Sequence, residues 1–197
     1  MPAPCRWRTD MATSAAGARE LTLGIAGLGA IGKAVARAVD AGAVPGLRLV
    51  AASVRDRAKA ERAVGGFRSP PQFVDFAALA EAADIVVECL PSQHFAAVAG
   101  PAIERGRIFV PLSVGVLIDH MALVERARET GARILVPTGA LLGLDAVRAA
   151  AEGNITSVKI VTRKPPAGLA GAPLLLARGI DLAGLKEPLK VFEGSAR

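Results

Sequence analysis

The chain has 197 residues, of which 52% are hydrophobic and 4% aromatic, and it carries a formal net charge of +6. This length suits one domain, or one domain with part of another, and no apolar stretch is long and uncharged enough to span a membrane. The basic residues are interleaved with acidic ones and have few aromatic neighbours, which argues against a nucleic-acid surface. We therefore expect neither a nucleic-acid nor a membrane partner.

The first residues and the cysteines indicate the compartment. Residues 1–20 contain no continuous apolar run, so we interpret them as a disordered leader rather than a signal peptide. The two cysteines, Cys5 and Cys89, do not form a disulfide framework, and neither has the spacing of a metal ligand. The sequence therefore predicts a cytoplasmic protein without a metal site.

Short apolar strands alternate with short helices between residues 20 and 154. We predict strands over 20–27, 46–55, 70–75, 84–91, 107–115 and 132–140, each followed by a helix: 30–42, 56–66, 76–83, 92–106, 117–131 and 143–154. Asp56 is the predicted N-cap of the second helix, and Gly131 closes the fifth. This order is typical of an α/β fold with a doubly wound parallel sheet covered on both faces.

The pattern changes after Asn154. Residues 155–166 alternate apolar and polar side chains with a period of two, as a half-exposed strand does. Residues 167–188 are irregular and rich in Gly and Pro, and residues 189–197 resemble the start of another strand. We therefore predict a first domain over 21–154 and an incomplete second domain of α+β type, for substrate binding or dimerisation, over 155–197.

Three glycines lie where the first strand meets the first helix: Gly27, Gly29 and Gly32. In a dinucleotide-binding turn the first allows the tight turn, the second allows backbone to approach the pyrophosphate, and the third allows the helix to pack on the strand. The N–H groups of Ala30, Ile31 and Gly32 would then face the anion. A plain strand–helix turn also fits three glycines, but the position at the head of six strand–helix units predicts a dinucleotide site.

The end of the second strand indicates which dinucleotide binds. Folds selective for NAD place an acidic residue about 20 residues beyond the last glycine, against the ribose hydroxyls. Here the strand ends at Ser53, followed by Arg55, and these two side chains suit a 2′-phosphate. The alternative is that Arg55 is a solvated turn residue and Asp56 only a helix cap. We favour NADP, or dual use, over strict NAD.

Ligands of doubly wound sheets bind at the carboxyl ends of the strands. The segments there are "CLPSQH", "LSVGV" and "PTGALLG", and they supply Leu90, Pro91 and Ser113 as candidate cofactor-binding residues. His94 is the only histidine in these segments, and we interpret it as a surface or helix-start residue rather than a catalytic one. We interpret His120 as structural.

Several longer motifs indicate a family. "GIAGLGAIGKAVARA", "LSVGVLID", "ILVPTGALLGLDAVRAAAEG", "TRKPPAGLAGAP" and "VFEGSAR" resemble the L-aspartate dehydrogenase family over residues 21–197. The resemblance implies a Rossmann domain, a homodimer, and NAD- or NADP-dependent oxidative deamination of L-aspartate, through iminoaspartate, to oxaloacetate and ammonia. The imine can instead feed NAD biosynthesis. It also implies cofactor contacts from the glycine turn and from Ala140.

The resemblance ends where family members continue. Their asparagine that contacts the cofactor and their histidine assigned as the catalytic acid/base follow the position of Arg197, so we assign no catalytic residue in this chain. We expect a chain that ends here to leave an unpaired sheet edge in the second domain.

Aspartate has two carboxylates, which require charged donors. We predict Lys164 as a substrate ligand, with Arg163 second, although strand alternation lets only one of them point inward. Solvent exposure of both is the alternative.

Two other functions remain open. One is a related amino-acid-pathway oxidoreductase of the homoserine dehydrogenase or dihydrodipicolinate reductase type, which would share the predicted layout. The other is a nucleotide-binding fragment without catalysis, because the family's catalytic segment would be absent.

Overall fold

The computed structural model describes residues 19–138 and 143–195. The chain divides into two compact units, Met1–Leu142 and Gly143–Arg197. The leader predicted over residues 1–20 lies outside the described residues except for its last two. These two form ion pairs, Arg19 with Asp84 and Glu20 with Arg48.

The first unit is built on a six-stranded sheet whose pairings are all parallel. The strands are β1 (Leu21–Ala26), β2 (Leu47–Ser53), β3 (Gln72–Phe73), β4 (Ile85–Glu88), β5 (Ile108–Pro111) and β6 (Arg133–Ile134). Their order across the sheet is β3-β2-β1-β4-β5-β6, which is the order of the Rossmann fold. The predicted fold class of this unit is therefore confirmed.

Helices connect the strands. They are α1 (Ala30–Asp40), α2 (Arg57–Val64), α3 (Phe76–Ala82), α4 (Phe95–Glu104) and α5 (Ala122–Thr130). The predicted N-cap of α2 is confirmed, because the Asp56 carboxylate accepts a hydrogen bond from the Lys59 N–H at 2.9 Å. Gly131 closes α5 in the left-handed conformation with φ +75°. Two helices start later than predicted, since 3₁₀ turns at Ser92–His94 and Val114–His120 precede α4 and α5.

The sheet is covered on both faces because β1 alternates its side chains between two hydrophobic clusters. Leu23 and Ile25 pack in the cluster that includes Ala36 and Val39 of α1. Ala26 packs in the other cluster, which includes residues of α3, α4 and α5 and the buried Phe109. This alternation is what a period-two strand gives when helices lie on either side of it.

The second unit contains two short helices and a 3₁₀ turn: α6 (Leu144–Ala150), Pro166–Gly168 and α7 (Pro173–Ala177). The strands predicted over 155–166 and 189–197 are wrong for the described residues, since no residue from 143 to 195 is in a strand. The side chains of Val158, Ile160 and Val161 are all more than 60% exposed. Alternation alone does not make a strand, because a strand needs a hydrogen-bonding partner, and residues 143–195 supply none.

None of the helices that the structure describes is long and apolar enough to cross a membrane.

Candidate dinucleotide-binding site

The centre of the sheet contains the point where the strand order reverses, between β1 and β4. Doubly wound sheets bind ligands in the crevice outside the carboxyl ends of the strands at this point. Two hydrogen bonds join the chain just beyond these ends. The Gly27 N–H donates to the Ser53 carbonyl, and the Cys89 N–H donates to the Ala26 carbonyl, both at 2.8 Å.

Close packing explains two of the three glycines. Gly27 has φ +97°, and a Cβ added there would lie 2.7 Å from both the Cys89 carbonyl oxygen and Leu90 Cδ2. A Cβ on Gly32 would lie 1.9 Å from the Gly27 carbonyl oxygen. Side chains at these positions would therefore separate α1 from β1 and β1 from the segment after β4.

Gly29 is different, because an added Cβ would meet no atom within 4 Å. Packing within the chain therefore does not require a glycine here, whereas close approach of a ligand to the backbone does. Gly29 is the N-cap of α1, no side chain caps the helix, and its first turn contains no acidic residue. The positive end of the helix dipole and the open space beside Gly29 are thus available to an anionic group.

The end of β2 presents one basic side chain to solvent. Ser53 is 8% exposed, whereas Arg55 is exposed and has no hydrogen-bond or ion-pair partner among the described residues. Asp56 is occupied as the cap of α2. Arg57 pairs with Glu61, and its guanidinium lies 5.8 Å from the Phe73 ring centroid. Among the described residues, Arg55 is therefore the cation at this strand end whose guanidinium makes no hydrogen bond or ion pair within the chain.

Glu88, which was not among the site residues predicted from the sequence, links the ends of β4 and β5 by hydrogen bonds. Glu88 is fully buried, and its carboxylate accepts hydrogen bonds from the N–H groups of Leu90 at 2.7 Å and Ser113 at 3.0 Å. The Ser113 hydroxyl lies 3.3 Å from the same carboxylate and 3.2 Å from the Leu90 carbonyl oxygen. The feature of the sequence that could have indicated this role is that Glu88 is a charged residue in an otherwise apolar strand.

Cys89 lies beside this carboxylate and is partly buried. Burial, with a smaller contribution from the charge of Glu88, raises the pKa of its thiol to about 12. The thiol therefore stays protonated at neutral pH and cannot serve as a nucleophile.

The structure thus brings together four residues that the sequence predicted for the cofactor: Gly27, Ser53, Leu90 and Ser113. Pro91 follows them and is exposed, and Ala140 lies outside the described residues. Their roles as ligands remain predictions.

The remaining candidates have simple environments. His94 is exposed, and His120 stacks on the buried Phe95 at a centroid distance of 5.6 Å. Arg163 and Lys164 belong to the second unit and are exposed, without hydrogen-bond partners among the described residues. No group of three or more His, Cys, Asp or Glu side chains in residues 19–138 and 143–195 could hold a metal ion.

The parallel sheet, its reversal point and the open glycine turn define a dinucleotide-binding domain of the Rossmann class. Two families of known proteins match parts of this chain, and both agree with this assignment. Residues 27–137 match the family described as "Homoserine dehydrogenase, NAD binding domain", and residues 145–197 match "Aspartate dehydrogenase, C-terminal". The chain is 53% identical over 194 residues to an L-aspartate dehydrogenase of Bradyrhizobium diazoefficiens, covering 98% of this chain and 67% of that protein.

A second relative is L-aspartate dehydrogenase 3 of Bordetella bronchiseptica, which is 47% identical over 90% of this chain and 65% of its own length. The chain belongs to the L-aspartate dehydrogenase family, and the resemblance seen in the sequence is confirmed. It spans about two thirds of the length of these relatives.

Solved structures agree on the fold alone. The WlbA dehydrogenase from Bordetella pertussis, in complex with NADH and UDP-GlcNAcA, has a TM-score of 0.54 at 23% identity, over 68% of this chain and 43% of that one. Biliverdin reductase from Synechocystis, with biliverdin and NADP⁺, has a TM-score of 0.53 at 24% identity, with the same coverage.

Proposed function

We propose that the whole protein catalyses the oxidative deamination of L-aspartate, through iminoaspartate, to oxaloacetate and ammonia. The observation that carries this proposal is the pair of family matches, since each covers a different unit. The first unit matches a homoserine dehydrogenase domain and alone would suit several amino-acid oxidoreductases. The second unit matches the C-terminal part of aspartate dehydrogenases, which favours aspartate as substrate.

We propose that different residues of the first unit bind different parts of the cofactor. The open backbone at Gly29 and the first-turn N–H groups of Ala30 and Ile31 bind the pyrophosphate. The segments at Leu90, Pro91 and Ser113 orient the nicotinamide end, together with Ala140. When bound, the nicotinamide supplies the hydride acceptor for the oxidation of the substrate Cα–H bond.

The cofactor that we propose is NADP, used in preference to NAD. Arg55 supports this preference, because its exposed guanidinium can form paired charge-assisted hydrogen bonds with a 2′-phosphate. The cap role of Asp56 also supports it, since a carboxylate bonded to the Lys59 N–H is not positioned to bind ribose hydroxyls.

We propose Lys164 as the ligand of a substrate carboxylate, with Arg163 as the second choice. Both cations are exposed, and their charges are not neutralised by partners among the described residues. Carboxylate recognition favours such side chains.

Two further proposals concern the oligomeric state and the cellular compartment of the protein. We propose a homodimer, which would cover exposed apolar side chains of the second unit such as Ile160, Leu176 and Phe192. We also propose a cytoplasmic enzyme, supported by the low cysteine number, whose imine product feeds NAD biosynthesis.

The test is reduction of NADP⁺ and NAD⁺ with a panel of amino acids, measured on the whole protein with the C-terminal segment that family members carry. We expect reduction with L-aspartate and none with L-homoserine. Lys164→Ala should raise the KM for aspartate while leaving NADPH binding unchanged, with Lys186→Ala as the matched control. Reduction with homoserine and not with aspartate would overturn the proposed substrate, and an unchanged KM in Lys164→Ala would overturn the assigned ligand.

A further inference from the structure

Glu88 is the only fully buried charged side chain in the described residues, and it lies at the carboxyl end of β4. No cation pairs with it among residues 19–138 and 143–195. A buried carboxylate without a counter-ion is costly unless hydrogen bonds replace its water. Here the replacement comes from the N–H groups of Leu90 and Ser113.

The arrangement requires a carboxylate specifically. One oxygen, Oε1, faces the Leu90 N–H, and the other, Oε2, faces the Ser113 N–H. A glutamine in the same place would direct its NH₂ group at one of these donors, whichever way the amide turned. Glu88→Gln therefore keeps the size of the side chain and removes one half of the link.

The hydrogen bonds of Glu88 connect two segments that lie beyond the strand ends, where strand pairing no longer holds them together. Leu90 follows β4 and Ser113 follows β5, and Glu88 holds both backbones at once. Leu90 is also in close contact with the glycine turn, since its Cδ2 atom lies 2.7 Å from where a Cβ on Gly27 would be. Glu88 thus fixes the crevice wall on the β4–β5 side of the reversal point.

The two halves of such a sheet bind different ends of a dinucleotide. The half formed by β1, β2 and β3 contains the ribose-recognition position of the adenosine end, at the tip of β2. The half formed by β4, β5 and β6 is left for the nicotinamide nucleoside. Glu88, Leu90 and Ser113 all belong to this second half.

We propose that Glu88 is a positioning residue for the nicotinamide end of the cofactor, acting through the backbones of Leu90 and Ser113. This inference rests on the proposed function, since it assumes that the crevice binds a nicotinamide dinucleotide. It separates Glu88 from the glycine turn, because the turn binds the pyrophosphate whereas Glu88 acts on the nicotinamide end.

The experiment compares two ligands by calorimetry on the full 197-residue chain. NADPH carries both ends, whereas 2′-phospho-ADP-ribose lacks only the nicotinamide base. We expect Glu88→Gln to weaken NADPH binding about tenfold or more, because the backbones of Leu90 and Ser113 would no longer be held in place against the nicotinamide end. Binding of 2′-phospho-ADP-ribose should not change. Glu129→Gln, an exposed residue of α5, is the matched control.

If Glu88 had only a structural role, Glu88→Gln would weaken the binding of both ligands equally, and this result would overturn the inference. Unchanged NADPH binding would overturn it too. If the wild-type chain bound neither ligand, the proposed function would fail instead. Should Glu88→Gln not fold, Ser113→Ala decides. It removes only the hydroxyl contact and should weaken NADPH selectively and by less, while equal loss for both ligands, or none, would overturn the inference.

Discussion

Gly32 packs directly against the carbonyl group of Gly27, whose oxygen lies 1.9 Å from the position of a Cβ on residue 32. This contact is closer than any side chain allows, so α1 can begin beside the end of β1 only with glycine there. The contact sets the first turn of the helix over the crevice where β1 and β4 end. The geometry of the anion site is therefore built into the packing of the fold.

The first prediction concerns this contact. Gly32→Ala should lower the free energy of unfolding by about 1–3 kcal/mol or more, because the methyl group must displace backbone rather than a flexible side chain. Gly66→Ala, where an added Cβ meets nothing within 4 Å, should change stability by less than about 0.5 kcal/mol. Urea unfolding measures both, and a Gly32→Ala midpoint equal to that of the wild type would contradict the packing explanation.

The second prediction concerns cofactor preference. Arg55→Ala should weaken NADPH binding about tenfold or more, through loss of a charge-assisted hydrogen bond to the 2′-phosphate. NADH binding should stay the same. Arg62→Ala, an exposed arginine of α2, is the control for the loss of one positive charge. Equal weakening of NADPH and NADH in Arg55→Ala would show that Arg55 does not recognise the 2′-phosphate.

The third prediction concerns stability against pH. Hydrogen bonds from the Thr22 N–H at 2.9 Å and hydroxyl at 2.8 Å, with Arg19 nearby, hold the pKa of Asp84 below its usual range. Because the folded pKa is depressed, this stabilisation is present above the unfolded pKa of about 3.9 and is lost as pH falls through the folded value.

Asp84→Asn should therefore cost about 1 kcal/mol at neutral pH, and the difference from the wild type should shrink under acid conditions. Asp119→Asn, at an exposed position, should show neither effect. Urea unfolding at several pH values measures this, and a difference independent of pH would rule out the ionised Asp84 as its source.

The fourth prediction concerns Cys89. With Cys5→Ser as background, Cys89 is the only thiol. Its pKa of about 12 should make alkylation by iodoacetamide near neutral pH at least about a hundredfold slower in the folded chain than in urea. Equal rates in the two states would mean that the thiol is neither buried nor influenced by Glu88.

The sequence predicted the strand–helix alternation well because local patterns determine it. Asp56 caps α2 and Gly131 ends α5 as expected. The edge strands β3 and β6 are only two residues long, which the sequence could not show, since strand length depends on a neighbour and each edge strand has only one. The same reason explains why the alternation over 155–166 was misleading.

Glu88 shows what the sequence could not predict of the site. Its partner Ser113 lies 25 residues away, and only the parallel pairing of β4 with β5 brings the two together. A lone acidic residue in an apolar strand indicates that something unusual is buried, but it does not name the donors. Local motifs predicted the glycine turn, whereas the opposite wall of the crevice depends on strand order.

The central claim is that the turn from Gly27 to Gly32 binds a nicotinamide dinucleotide, and titration of NADPH into the wild-type chain and Gly29→Ala tests it most directly. The open space at Gly29 means that the variant should fold, with an N-cap cost of about 1 kcal/mol. We predict that the wild type binds NADPH and that Gly29→Ala binds it about tenfold or more weakly, because the methyl group occupies the approach of the pyrophosphate. Absence of binding by the wild type, or equal affinity of the two chains, would contradict the claim.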